Sequence, residues 1–309
     1  MCLVSDFSDY HISIMKKLYK EFGVTYFKWD GVNQFGCISE LHKHGNGDNS
    51  MEERHDCYSF KMGLEMIRIV EELSKECPEA IVDFDVSEDN RFVGLGFLSV
   101  GKYFLVNNGP YAKDFDFPYK PEIKSSMLAT NIEGGANLFF FPGVARSRIC
   151  RQGVKYDSFI PSILFLSHFY PDAPELSQMN SLCSLMLGSN GIWGELADLS
   201  EEDINIFKET LQKYKRVRDS INESYPKTKG IIGSSPEIYE KINYNKSEGL
   251  LCFFTKAKGT FTHITELINS SKFTGVDGAD AWEITSAGRL KVTVTLEEGQ
   301  ARPVFVFGK

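Results

Sequence analysis

Long apolar runs, clustered basic residues and patterned cysteine pairs are all scarce in this 309-residue sequence, and each shortage narrows what the chain can be. No stretch reaches the roughly 18 apolar residues that a membrane helix needs. Lys and Arg number 34 against 42 Asp and Glu, for a formal net charge of −8. Nucleic acids and anionic membranes call for concentrated positive charge, so neither is expected as a partner. Seven cysteines, an odd number without close pairing, do not form a disulfide framework. Cys2, Cys37, Cys57, Cys77, Cys150, Cys183 and Cys252 sit mostly among apolar neighbours, as free buried thiols do. The opening Met1 to Asp6 has neither the basic end nor the apolar run of a secretory leader, and with the free thiols this favours a reducing, cytoplasmic setting. Internal repeats and low-complexity tracts are absent too.

What is present is an ordinary globular composition, 42% hydrophobic and 25% charged, with 24 Phe, 13 Tyr and 3 Trp. So many rings suit either sugar stacking or a rich core. The first two-thirds alternates helix-like and strand-like stretches, the pattern of an α/β fold with parallel strands. Ile12, Met15, Leu18, Tyr19 and Phe22 recur at helical spacing over 9–22, and Gly23 ends that helix. Val24 to Trp29 reads as a buried strand. Ser50 opens a second amphipathic helix, with Glu52 and Glu53 in its first turn, and Pro78 closes it. Ala80 to Val86 and Tyr103 to Val106 are the next strands. Residues 158–169 and 176–187 read as helices, and 200–221 as a long helix begun by a Ser200/Asp203 capping box. Lys227 to Ser235 resembles a linker. From residue 236 the pattern becomes short alternating strands, namely Leu250–Thr255, Phe261–Thr265, Leu290–Leu296 and Val304–Phe307, the mark of an antiparallel β-domain. Each early strand is followed by Gly, Asn, Asp or Pro, and so delivers polar side chains at its C-terminal end, where (β/α)₈ barrels carry their chemistry.

The sharpest motif is Tyr26-Phe27-Lys28-Trp29-Asp30-Gly31. A strand ending in a cation, a ring and a carboxylate, turning on glycine, supplies what a retaining glycosidase uses: a nucleophile, a hydroxyl donor and an apolar face. The same Asp would equally serve as a turn cap. Asp83, Asp85 and Glu88 lie at or beyond the end of the next strand, either as acid/base candidates or as loop caps. Arg91 suits a sugar hydroxyl or a loop ion pair. Asn107, Asn108 and Tyr111, in Val-Asn-Asn-Gly-Pro-Tyr, fit vicinal hydroxyls or simply a turn, and Trp193 between two glycines fits stacking or packing. Arg146, Arg148 and Arg151 follow Phe139-Phe140-Phe141-Pro142-Gly143, and ion pairing with acids such as Asp157 is favoured over a phosphate site. His42, His44 and His55, with Cys37 and Cys57, match no strong metal signature. Their Gly/Asn-rich loop reads as a solvated cover over a barrel mouth, so neither a metal nor a cofactor is expected.

Tyr26-Phe27-Lys28-Trp29-Asp30 resembles the nucleophile strand of family 36 glycoside hydrolases, the melibiase-type α-galactosidases, whose fourth barrel strand ends in Lys-Trp-Asp. Ile81 to Arg91 occupies the place of that family's fifth-strand loop, Phe92 to Gly101 its following helix and Tyr103 to Asn108 its sixth strand. Gly191 to Ser200, with a helix ending in Tyr214 to Arg218, is similar to the final barrel strand and long helix. The resemblance departs at Gly31-Val32-Asn33-Gln34, where the family continues Met-Asn-Arg, and at the acidic Ser87-Glu88-Asp89-Asn90 in place of a glycine-rich loop. Where the family has its acid/base Asp the register gives Asn107, an amide that cannot cycle a proton.

The resemblance implies an α/β fold with a partial TIM (β/α)₈ barrel over 1–230 and a C-terminal antiparallel β-sandwich over 231–309. It implies a retaining α-galactosidase-like glycosidase acting on a glycoside or oligosaccharide, with Asp30 as nucleophile. With Asn107 at the family's acid/base position, Glu88, just past a strand end in a loop aimed at the same mouth, is the acid/base candidate, and Lys28, Trp29, Asp85, Arg91, Asn107, Asn108, Tyr111 and Trp193 are the candidates for binding substrate. A glycosyl-transferring relative and a non-catalytic carbohydrate-binding remnant are the alternatives. About five barrel strands fit before residue 230, against the eight of a closed barrel. This predicts an N-terminally truncated or split member, with self-association or a missing N-terminal half as partner.

Overall fold

The structure, a computed structural model, describes residues 2–29, 36–85, 95–101, 103–105, 142–154, 165–169, 176–192 and 195–309. The chain divides into two compact units, Met1–Asn107 and Asn108–Lys309.

In the first unit, helix α1 (Phe7–Phe22) stops at Gly23, whose left-handed φ of 70° lets its N–H reach the Tyr19 carbonyl at 3.1 Å. Strand β1 (Tyr26–Trp29) follows, then helix α2 (Met51–Glu76). Ser50 opens α2 with a reciprocal capping box. Its Oγ accepts from the Glu53 N–H at 3.1 Å, while Glu53 Oε2 accepts from the Ser50 N–H at 2.8 Å, an arrangement that contributes about 1 kcal/mol. Strand β2 (Ile81–Asp85) and strand β3 (Tyr103–Leu105) complete the unit. Where the resemblance implies a helix over 92–101, the described part is a short 3₁₀ turn, Leu95–Ser99. β1 and β2 are parallel neighbours, as the sequence predicts, with Tyr26 opposite Ile81 and Trp29 opposite Phe84; β2 and β3 are likewise parallel. Met62, Met66, Ile69, Val70 and Leu73 line the buried face of α2. Each such side chain stabilises by about 1.5–3 kcal/mol when fully removed from water. Charge clamps α1 to α2, with Lys16 and Lys20 both bonded to Glu76, and Arg68 to Asp9.

The second unit holds helix α3 (Pro142–Gly153), strand β4 (Phe165–Phe169), helix α4 (Gln178–Leu185), strand β5 (Ser189–Ile192) and helix α5 (Glu201–Asn222). β4 and β5 are parallel, Leu166 facing Ser189 and Phe169 facing Ile192. The helix expected over 158–169 is overturned at 165–169. A short apolar run has no periodicity with which to separate a buried strand from a buried helix, and Pro161 already spoke against a continuous helix. Ser200 caps α5 by accepting from the Asp203 N–H at 3.1 Å.

Eight antiparallel strands follow: β6 (Lys227–Lys229), β7 (Glu237–Asn243), β8 (Glu248–Phe254), β9 (Gly259–Leu267), β10 (Phe273–Asp277), β11 (Ala281–Ile284), β12 (Arg289–Leu296) and β13 (Ala301–Gly308). They form one sheet ordered β10-β13-β8-β7-β6 and a second ordered β11-β12-β9. β6 replaces the expected linker. Its exposed Lys-Thr-Lys reads as linker in sequence because a charged edge strand looks like one. Ile238, Leu251, Phe253, Val304 and Val306 of the larger sheet share a core with Leu290, Val292, Val294 and Leu296 of the smaller. The larger sheet's other face, through Tyr239, Leu250, Cys252, Phe254 and Phe305, packs on Leu182 and Leu185 of α4 and Val217 and Ile221 of α5. Burial on both faces explains the unbroken apolar run of β8, whereas β12, covered on one face, alternates. In all, five strands with parallel pairing are described, three in the first unit and two in the second. A (β/α)₈ barrel closes with eight, and no closed barrel is present among the described residues. None of the described helices is long and apolar enough to cross a membrane.

Candidate functional site

Period-two alternation sorts β1 and β2 into two faces. On one, Trp29, Val82 and Phe84 are buried; Trp29 meets Phe84 edge-on at 5.5 Å and the His11 ring of α1 at 5.6 Å, and Phe84 meets Phe97 at 5.1 Å. Burial holds the His11 imidazole below its usual pKa, so a neutral ring packs there. Trp29 is thus a packing element, only 6% exposed, rather than an open stacking surface as its place in the motif suggested. On the other face Tyr26 and Lys28 stand beside Asp83, which is the register partner of Lys28 and accepts a 2.5 Å hydrogen bond at Oδ2 from the Tyr26 hydroxyl. Asp83 is almost fully buried. Tyrosine donor, lysine and carboxylate therefore form a polar column approaching the C-terminal ends of parallel strands, a place where charged groups can be held rigidly toward a ligand.

Asp85 closes β2 opposite Leu105, its side chain lying outside the described residues. Asp30, Glu88, Arg91, Asn107, Asn108, Tyr111 and Trp193 all lie outside the described residues. Within the motif, Tyr26 is the Asp83 partner, a role signalled in the sequence only by its place two residues before Lys28. The basic cluster of α3 is an ion-pair site in its described part. Arg151 meets Glu237 at 2.8 Å with both groups buried, while Asp157, the acid named from sequence, lies outside the described residues. The described part of the loop carrying His42 and His44 is largely exposed, but His44 itself is fully buried. Cys2, Cys37, His42 and His44 bring their ligand atoms within 4.8 Å of one another.

Comparison with solved structures gives extensive likeness at low identity. An α-galactosidase AgaA variant of family 36 from Geobacillus stearothermophilus, solved with raffinose, superposes with TM-score 0.62 and 15% identity, over 98% of this chain and 38% of its own. The α-galactosidase from Lactobacillus brevis gives TM-score 0.64 and 10% identity, over 100% and 39%. This chain shares its fold with part of these family 36 α-galactosidases. It spans well under half of their length. An Anoxybacillus α-amylase is similar more distantly, with TM-score 0.52 and 12% identity, over 98% of this chain and 63% of that one. No protein-family model and no curated protein matches the sequence.

Proposed function

We propose that this chain is a retaining, α-galactosidase-like glycosidase acting on α-linked sugars. Residues up to 226 correspond to the later strands of a catalytic (β/α)₈ barrel and those from β6 onward, 227–309, to its terminal β-sandwich. The observation that carries the reading is a likeness to family 36 α-galactosidases over 98% of the chain or more. It coincides with the Lys28-Trp29 strand end standing parallel to the Asp83-bearing strand. Asp30 follows Trp29 directly in the sequence. In this role it attacks the anomeric carbon while Glu88 gives its proton to the departing oxygen; Glu88 then takes a proton from the water that releases the sugar. The two carboxylates of such a pair stand about 5 Å apart. Lys28, with Asp83 as its strand partner, binds sugar hydroxyls, as do Asp85, Arg91, Asn107, Asn108 and Tyr111, and Trp193 stacks on the ring. Trp29 holds the strand end in place by packing. The Geobacillus relative was solved with raffinose, so an α-galactosyl-terminated oligosaccharide is the proposed substrate.

Turnover of an aryl α-galactoside tests this. Asp30→Asn lowers kcat by at least about 10³-fold. Glu88→Gln spares glycosylation by an acidic phenol leaving group, which needs no proton, and slows deglycosylation. Wild-type rates at the level of Asp30→Asn would remove the catalytic reading. A second reading, sugar binding without turnover, is favoured by Asn107 at the expected acid/base position, and titration with raffinose gives binding without hydrolysis in that case. If an acceptor sugar replaces water, the product is a new glycoside, which identifies a transferase.

A further inference from the structure

Two parts of the first unit that lie far apart in sequence supply four soft or borderline metal ligands at one point. Cys2 precedes α1, while Cys37, His42 and His44 lie in the loop between β1 and α2. Their Sγ and ring nitrogen atoms all fall within 4.8 Å of one another, and Cys37 Sγ stands 3.2 Å from His42 Nδ1. Cys2 and His44 are buried, and Cys37 and His42 are half-buried. The decisive group is His44, which is fully buried. Its Nδ1 lies 3.1 Å from the Arg54 carbonyl oxygen. A carbonyl only accepts, so the proton sits on Nδ1 and the lone pair on Nε2. That Nε2 is buried with no hydrogen-bond partner, an arrangement that ordinarily costs about 1–3 kcal/mol. A backbone carbonyl fixing one ring nitrogen while the other is presented unprotonated is how metal-binding histidines are oriented.

The surroundings hold these ligands in place. Buried Arg54 ties the loop from beneath, with Nε donating to the Ile38 carbonyl at 2.8 Å and Nη1 donating to the Asn46 carbonyl at 3.1 Å and to the Asn49 carbonyl. Lys43 N–H donates to the Val4 carbonyl at 3.1 Å, joining the loop to the segment of Cys2, whose own carbonyl accepts from Ser5 Oγ at 2.6 Å. The buried Tyr58 ring of α2 stands edge-on to His44 at 5.5 Å and walls off water.

We propose that Cys2, Cys37, His42 and His44 bind one Zn²⁺ in a closed structural site. Two thiolates and two imidazoles are a tetrahedral zinc set, and neighbouring donors in such a set lie about 3.3–3.8 Å apart, so the cluster closes by side-chain adjustments of about 1 Å or less. Binding converts two thiols to thiolates and releases two protons, with no change of oxidation state. With all four positions taken by protein, the ion does no chemistry on substrate. It staples the segment before α1 to the described part of the loop between β1 and α2. Spacing alone gave no hint of this, because Cys2 stands apart from the Cys37-x₄-His42-x-His44 run that completes the set.

Cobalt titration of the full chain, reduced and stripped by chelator, tests the proposal and needs no glycosidase activity. One Co²⁺ per chain is expected, with the intense visible bands of tetrahedral coordination and thiolate-to-cobalt charge transfer, both erased by Zn²⁺. Zinc also raises the melting temperature of the wild-type chain. Cys37→Ser and His42→Ala weaken metal binding by more than about 100-fold, beyond the range that outer-shell changes produce, while Cys57→Ser, outside the cluster, leaves it unchanged. An octahedral spectrum without charge transfer, absence of cobalt binding, or a Cys2–Cys37 disulfide that persists with zinc and reductant would overturn it. So would undiminished affinity in Cys37→Ser.

Discussion

Arg151→Met isolates what the buried ion pair of the second unit contributes. The Arg151 side chain has no exposed surface and that of Glu237 is 3% exposed; the guanidinium donates to Glu237 Oε2 at 2.8 Å and to the Ser147 carbonyl at 3.2 Å. It also lies 4.9 Å from the centre of the Phe254 ring, so the pair ties α3 to β7 and β8. Removing one partner of a buried pair costs about 3–5 kcal/mol because the remaining charge is stranded. Glu237 keeps two other donors, the Tyr239 hydroxyl at 2.5 Å and the Gly233 N–H at 3.0 Å, which places the expected loss near the lower end, about 3 kcal/mol. Methionine fills most of the vacated volume, so the loss reads charge rather than cavity. Adding Glu237→Gln removes the stranded charge; its one amide oxygen still accepts from Tyr239, while the Gly233 N–H loses its acceptor. The double variant should therefore return to within about 1–2 kcal/mol of wild type. Urea unfolding followed by circular dichroism, with hydrogen exchange in β7 and β8 as a local readout, measures both. A single variant within about 0.5 kcal/mol of wild type, in the range of ordinary surface changes, would refute the reasoning. A double variant no more stable than the single one would do the same.

Two further predictions concern acid stability and the strand end. Burial alone would raise the Glu240 carboxyl, but hydrogen bonds from His263 (2.6 Å) and Tyr244, together with the Lys227 cation, hold it below the usual carboxylate range. A depressed folded pKa contributes stability that is present above the unfolded value near about 4.3 and is lost as pH falls through the folded one. Glu240→Gln should flatten that acid limb of the stability curve, and an unchanged limb would contradict the assignment. Trp29→Ala should cost about 3–5 kcal/mol in thermal unfolding of the first unit through the lost Phe84 and His11 contacts; a loss under about 1 kcal/mol would mean the ring is not a core element.

How legible each part was followed from how local its cause is. The helix starts at Ser50 and Ser200 and the stop at Gly23 depend on a few adjacent residues, and the structure has them where sequence put them. β12 announced itself by alternation and β8 by an unbroken apolar run. β4 did not, because five residues, Phe-Leu-Ser-His-Phe, are too few to separate a period of two from one of 3.6. β6, β10 and β11 are short, charged or glycine-bearing, with little burial to mark them. In the candidate site, the parallel pairing that sets Lys28 beside Asp83 was foreseen, but the inward packing of Trp29 depends on His11 from α1 and Phe84 from β2. The meeting of Cys2 with Cys37, His42 and His44 is a tertiary fact that no local pattern encodes.

The central claim is that Asp30 is a glycosidase nucleophile, and covalent trapping tests it most directly. The protein is incubated with an α-galactose-configured cyclitol epoxide, and the adduct is read by intact mass and peptide mapping. One adduct per chain on the peptide containing Asp30, absent in Asp30→Asn, is the result predicted. An adduct that persists in Asp30→Asn, or that maps to another carboxylate, contradicts it.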